Sequence, residues 1–262
     1  MPKLAANLSM LFREHPFLDR FAAAADAGFE AVEYQFPYDE GSPEDIAARA
    51  KAAGVKIVLH NMPRGDSARG ELGTACIPGR EDRFREDLEK GIRYAVAAGC
   101  TRLHCMAGLT PAGVEPGLVH RTYVSNLRHA AGRLAQEALQ LLIEPLSAGT
   151  AAGTFLTGSA QAIHVLDEVG APNAWLQYDL FHMQALEGNL AETIRRLLPR
   201  IGHLQIADLP GRHEPGTGEI NYAFLLPYID RLGYEGWIGC EYNPAGETVE
   251  GLTWARPYLR AR

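Results

Sequence analysis

Short apolar runs alternate with helix-patterned segments along the whole of this chain, about eight times in 262 residues. The runs are KLAANLS, EAVEYQF, VKIVLHN, RLHCM, LQLLIEP, AWLQYD, IGHLQIA and GWIGCEY. Between the first of them, PFLDRFAAAADA is helix-like and stops at Gly28, and SPEDIAARAKAAG offers Ser42 as a cap, Pro43 at the first helical position, early acids and a terminal Gly54. Further helices are expected near 81–98, 117–136, 159–168, 189–198 and 221–232. Strand and helix in strict alternation predict an α/β fold with a parallel sheet.

Two architectures carry that pattern. A doubly wound sheet usually places GxGxxG after its first strand, whereas SMLFREH stands there in this chain. Polar residues end several of the apolar runs, which suits a closed barrel, where functional groups from many strand ends meet on one face. The length is that of one such barrel and no linker divides it. The expectation is therefore a (β/α)8 TIM barrel, a single domain over 1–262.

Four strand-end residues stand out: Glu144 in LQLLIEP, Asp179 in AWLQYD, Gln205 in IGHLQIAD and Glu241 in GWIGCEY, spaced 35, 26 and 36 residues apart. These intervals are about one strand–helix–strand step. An ionisable group at the tip of a buried strand is costly unless it is partnered. Three carboxylates and an amide at matching positions would converge, and a divalent cation held by oxygen is their simplest partner. Strand alternation agrees. Gln205 shares a face with His203, Glu241 with Gly239 and Trp237, and Asp179 with Gln177, leaving the aliphatic neighbours for outer helices. The plainer reading is strand-end caps or ion pairs with nearby arginines.

Bulk properties narrow the partners. Net charge is −7 and the pI about 5.7, which argues against a broad nucleic-acid surface. The cysteines, Cys76, Cys100, Cys105 and Cys240, form no CxxC pair, and a reducing cytoplasm fits. Neither a signal peptide nor a membrane span is expected.

The segments ANLSMLF, VEYQFPY, LHNMPRGD, ACIPGRE, LLIEP, QYDLFHMQ, GHLQIAD, PGTGEINY and GCEYNP, spread over nearly the whole chain, resemble the hydroxypyruvate isomerase family of xylose-isomerase-like barrels. The resemblance implies a divalent metal, Mg²⁺ or Mn²⁺, on Glu144, Asp179, Gln205 and Glu241. It implies Glu144 and Glu241 as the catalytic pair. The reaction implied is interconversion of hydroxypyruvate and 2-hydroxy-3-oxopropanoate by proton transfer through an enediolate. Related sugar epimerases often carry a histidine where Gln205 stands; an amide oxygen is a neutral, hard ligand compatible with either ion. His182, just past Asp179 on the same loop, is a candidate donor to a substrate oxygen. Arg212, after strand seven, offers a planar fork for a substrate carboxylate. His60, at the end of strand three, suits either substrate contact or a structural role.

Other readings stay open at this level. The stretch Ser147–Phe155 is built of small residues where the family carries a bulkier, partly polar loop, so a 2-oxo-tetronate isomerase or a ketose 3-epimerase could use the same core. A DNA-repair endonuclease on this barrel type would need a histidine-rich multi-metal cluster. His60, Glu144, Asp179, His182 and Glu241 make part of one, but Gln205, the acidic charge and the lack of a basic stripe count against it. A non-enzymatic metal-binding barrel would not need two glutamates in acid–base positions. PGTGEINY reads as a tight turn into the next helix rather than a phosphate loop. The glycine-rich residues 62–80 are positioned to cover the barrel mouth. GLTWARPYL suits either a subunit interface in a homo-oligomer or a cover for the barrel bottom.

Overall fold

The structure, a computed structural model, describes residues 1–66, 68 and 70–260. Eight parallel strands close into a barrel in chain order: β1 (Lys3–Asn7), β2 (Ala31–Tyr34), β3 (Lys56–Asn61), β4 (Arg102–His104), β5 (Gln140–Ile143), β6 (Ala174–Asp179), β7 (Ile201–Ile206) and β8 (Trp237–Cys240), with β8 paired back to β1. Helices α1 (Arg20–Asp26), α2 (Pro43–Ala53), α3 (Glu81–Ala98), α4 (Pro116–Ala135) and α5 (Ser159–Val169) follow the first five strands. After them come α6 (Leu180–Leu186), α7 (Leu190–Leu197), α8 (Tyr222–Arg231) and a short α9 (Thr248–Gly251). The expected (β/α)8 barrel is therefore the observed fold.

Local chemistry explains the helix ends. The Ser42 hydroxyl accepts from the Asp45 amide at 3.1 Å, and Gly54 ends α2 with a left-handed φ of 71°. One helix was not anticipated. α6 starts directly after β6, with no turn between them, because the Asp179 carboxylate caps it by accepting from the Phe181 amide at 2.8 Å. His182 is therefore on a helix, not on the loop the sequence suggested. The segment LFHMQAL is too short for its periodicity to declare a helix, and nothing punctuates it from the strand.

Between strands and helices lies the main apolar layer, in which Phe17, Phe21 and Tyr34 meet edge to face. Inside the barrel a small apolar plug of Ala5, Ala31 and Val58, backed by Trp237, fills the lower end. Above it the interior turns polar. Gly239 lacks a side chain where a methyl would run into the Glu33 carboxylate, so polar groups from β2 can reach the barrel axis. The residues Tyr258, Leu259 and Arg260 lie beside the first residues of β1 and beside Trp237 of β8, and Arg260 N–H donates to Gly28 at 3.1 Å. The C-terminal stretch thus covers the barrel bottom. No described helix is long and apolar enough to cross a membrane.

Candidate active site

Strand register brings the four strand-end residues to one end of the barrel. Asp179 pairs in register with Gln205, Gln205 with Gly239, and Glu144 and Glu241 directly follow β5 and β8. All four are buried. The amide of Gln177, one step below Asp179, donates to Glu144 Oε2 at 3.0 Å and to Gln205 Oε1 at 2.6 Å. Glu241 Oε1 accepts from Asn7 at 3.2 Å and from Gln35 at 3.0 Å.

Arg212 supplies a cation at this centre. Its Nη2 donates to Glu241 Oε2 at 2.5 Å and to Asp179 Oδ2 at 3.2 Å, and its guanidinium lies 5.1 Å from the Phe181 ring centroid. The loop that carries it is self-contained. Asp208 accepts from the amides of Leu209, Gly216 and Ile220 at 2.7–3.0 Å. Two of those amides, Gly216 and Ile220, belong to the PGTGEINY segment and face the protein's own carboxylate, so the segment forms a tight turn as expected.

A second, fully buried network lies beneath. Glu33 of β2 accepts from Asn7 at 2.9 Å and from Gln205 Nε2 at 2.8 Å, and its other oxygen is 2.6 Å from His203 Nε2. An ionised carboxylate only accepts, so the nitrogen end of the Gln205 amide must face Glu33. Its oxygen end accepts from Gln177 Nε2, which also donates to Glu144. Glu33 and Asn7 were not singled out in the sequence, although both hold the inward, strand-end positions on β2 and β1 that the same parity argument covers.

The histidines separate by environment. Ser147 N–H donates to His182 Nδ1 at 3.3 Å, so the ring proton of the neutral form sits on Nε2, which lies 3.6 Å from Asp179 Oδ2. Burial pushes the His182 pKa down to about 4, against an opposing pull from Asp179. His104, about which the sequence said little, lines the cavity with Nε2 3.6 Å from Glu144 Oε2, and burial takes its pKa down to about 3. His60 is placed differently. It stacks on Tyr34 at 5.7 Å and meets Tyr38 edge-on, on the helix side of β3. Its neighbour Asn61 takes the cavity position and pairs with His104 at 3.1 Å.

Electrostatics follow from burial and crowding. Burial, then the charges of Glu241 and Asp179, raise the Glu144 carboxyl well above its ordinary range. Burial takes Glu241 up to about 7 even though Arg212 pulls the other way. For Arg212, burial disfavours the charge, but Glu241, Asp179 and Glu144 outweigh it and hold the group above its usual value.

The donor set fits a hard cation. Glu144 Oε1 is buried with no hydrogen-bond partner, and donor atoms of Glu144, Asp179 and His182 lie within 4.8 Å of one another. Two carboxylates and an imidazole gathered in this way can hold a divalent cation. Glu144, His182, Arg212 and Glu241 line a cavity of about 150 Å³, together with Leu146 and with Thr150 and Ala151 from the small-residue loop after β5. Arg64 and Leu72, from the segment after β3, also reach it. That volume is well below the roughly 300–1,000 Å³ of pockets for drug-sized ligands. A wider groove of about 680 Å³ adjoins it through Gln35, Phe36 and Arg64, and carries Arg13, Arg20, Arg83 and Lys90 against Asp39, Glu40 and Asp87.

Acidic residues thus gather at the ends of β5, β6 and β8 of a closed barrel, and residues 21–258 match the xylose isomerase-like TIM barrel family. The chain belongs to that family. It is 48% identical to the hydroxypyruvate isomerase of Escherichia coli (strain K12), over 98% of this chain and 100% of that one. It is 45% identical to the 2-oxo-tetronate isomerase of Pectobacterium atrosepticum, over the full length of both. A crystal structure described as AP endonuclease, family 2, from Brucella melitensis superposes with a TM-score of 0.97 at 43% identity, covering 99% of this chain and 100% of that one.

Proposed function

We propose that this protein is a metal-dependent isomerase of short 2-oxo acids, with hydroxypyruvate as its first substrate and 2-hydroxy-3-oxopropanoate as product. The observation that carries the reading is a pair of buried glutamates, Glu144 and Glu241, facing one small cavity together with the guanidinium of Arg212, which contacts Glu241. Glu144, Asp179, Gln205 and Glu241 would hold Mg²⁺ or Mn²⁺, which would supply Lewis acidity to the carbonyl and neighbouring hydroxyl oxygens.

The chain's own groups do the rest. One glutamate takes a proton from C3 of hydroxypyruvate and the other delivers one to C2, while the hydroxyl proton passes from O3 to O2. Positioned acid–base groups contribute about 10²–10⁴-fold. His182 lines the same cavity beside Asp179, and in its Nε2–H form it would donate to a substrate oxygen rather than bind the metal. Arg212 offers the substrate carboxylate a partner, and the cations of the adjoining groove favour approach of an anion although the protein as a whole is acidic.

Thr150 and Ala151 at the cavity wall leave room beyond a three-carbon acid, which keeps a C4 oxo acid such as 2-oxo-tetronate as the second reading. The test compares kcat/KM for hydroxypyruvate, a C4 oxo acid, a neutral ketohexose and nicking of abasic-site DNA under one set of conditions. One of the two oxo acids is expected to be preferred clearly. A preference for the ketohexose would favour an epimerase, and efficient nicking would favour an endonuclease.

Glu33 provides a separate check on the metal site. Glu33→Gln replaces one acceptor by a donor where Asn7, His203 and Gln205 all converge, so the Gln205 amide is released from its orientation. Partners that orient metal ligands are typically worth about 10–100-fold in metal affinity. Calorimetry with Mn²⁺ should show a loss of that order. Unchanged Mn²⁺ affinity in a folded variant would remove Gln205 from the ligand set or Glu33 from its support.

A further inference from the structure

On the outer wall of the barrel, α4 and α5 bring three donor side chains together. His120 lies in the second turn of α4, and His164 and Glu168 are one turn apart on α5. Nε2 of His120 and Nε2 of His164 each lie 2.8 Å from the same oxygen, Glu168 Oε1. The two imidazoles stack with centroids 5.8 Å apart and planes 23° from parallel. All three donor atoms fall within 4.8 Å of one another. The guanidinium of Arg128, on α4, donates to the Glu168 carbonyl and ties the end of α5 to α4.

From this geometry we propose that His120, His164 and Glu168 form a second metal site, for one divalent transition ion of borderline softness such as Zn²⁺, distinct from the centre at the barrel mouth. Two imidazole nitrogens and one carboxylate oxygen are a recurring zinc donor set, with a fourth position left to water. Zn–N bonds of about 2.0–2.1 Å in a tetrahedron put ligand atoms roughly 3.3 Å apart, so each histidine, now 2.8 Å from Glu168, would move away from that oxygen by only about half an ångström. The i, i+4 spacing of His164 and Glu168 puts both on one face of α5, where α4 presents His120. Donor type separates the two sites. The barrel mouth offers mainly carboxylate and amide oxygens, which suit Mg²⁺ or Mn²⁺, and this site offers two nitrogens, which favour zinc, nickel or copper.

The site has a structural route to the cavity. The His120 ring is 6.5 Å from that of Phe155, which packs edge-on against Tyr123 at 5.3 Å. Phe155 closes the loop whose Thr150 and Ala151 line the cavity, and Thr154 bridges to Leu109. An ion here fixes α4 to α5 on either side of β5, behind the loop that shapes the pocket.

The test titrates Zn²⁺ into the Mg²⁺-saturated wild-type protein and into H164A by calorimetry, which cancels any exchange at the barrel mouth. The His164 side chain is 67% exposed, so H164A should fold, and kcat/KM equal to wild type without Zn²⁺ confirms that it has. Wild type is expected to take up one more equivalent of Zn²⁺ than H164A, and E168Q to bind that equivalent at least tenfold more weakly. Zn²⁺ should raise the Tm of wild type more than that of H164A. Identical isotherms for wild type and H164A would overturn the proposal, as would an extra equivalent that E168Q retains at full affinity.

Discussion

Glu144→Gln and Glu241→Gln are each expected to lower kcat by about 10²-fold or more, because each keeps the shape and one oxygen of the side chain but removes its ability to carry the proton. The structure separates the two in stability. Glu144 Oε1 has no hydrogen-bond partner, so an amide nitrogen can take its place without displacing a donor. Both oxygens of Glu241 already accept, one from Arg212 and the other from Asn7 and Gln35, so an amide nitrogen there must face a donor. Glu241→Gln should therefore also cost about 1–3 kcal/mol of stability, the usual penalty for a buried polar group left unpaired. Because the two glutamates serve one proton transfer, the double variant should lose less than the product of the single losses. Steady-state kinetics and urea unfolding on the three variants decide this. A single variant with near wild-type kcat excludes that glutamate as acid or base, whatever its part in holding metal.

Stripping the divalent metal is expected to abolish turnover, and Mg²⁺ or Mn²⁺ to restore it. The argument is one of charge. Glu144, Asp179 and Glu241 are buried at one centre, and Arg212 is the cation that contacts two of them. Like charges at that spacing repel, and a divalent ion relieves them. The same linkage predicts stabilisation on loading, about 2.7 kcal/mol at a metal concentration one hundred times Kd. For a domain of this size that is roughly 5–10 °C in Tm. Calorimetric scans with and without Mn²⁺ measure the shift, and the activity of a preparation verified as metal-free measures the rest. Full turnover without metal would sink the assignment of these residues as a metal centre.

The barrel and its four strand-end residues were legible in the sequence because both rest on local regularities. Alternation of strand and helix patterns names the fold class, and two-residue parity within a strand says which side chains turn inward. Gln205 beside His203, and Glu241 beside Gly239, follow from that parity alone. The chemistry proposed for the site came from family-like segments rather than from that parity.

Pairing between strands was not legible. A register shift between Val32 and Glu33, where β2 meets β3, sets His60 opposite Tyr34, and Asn61 rather than His60 reaches the cavity. Glu33 meets His203 across the barrel interior, 170 residues away in the chain, a contact that exists only because the sheet closes. The proton on His182 Nε2 depends on Ser147 from the neighbouring β5 loop, and the start of α6 on a carboxylate that also belongs to the active centre. His120 and the His164–Glu168 pair lie on helices separated by a strand, so only their packing joins them. Within a regular strand the sequence by itself determined which residues share a face, since that depends on neighbours one and two positions away. Tertiary structure alone decided which of them meet, since that depends on stagger and closure, which no local pattern encodes.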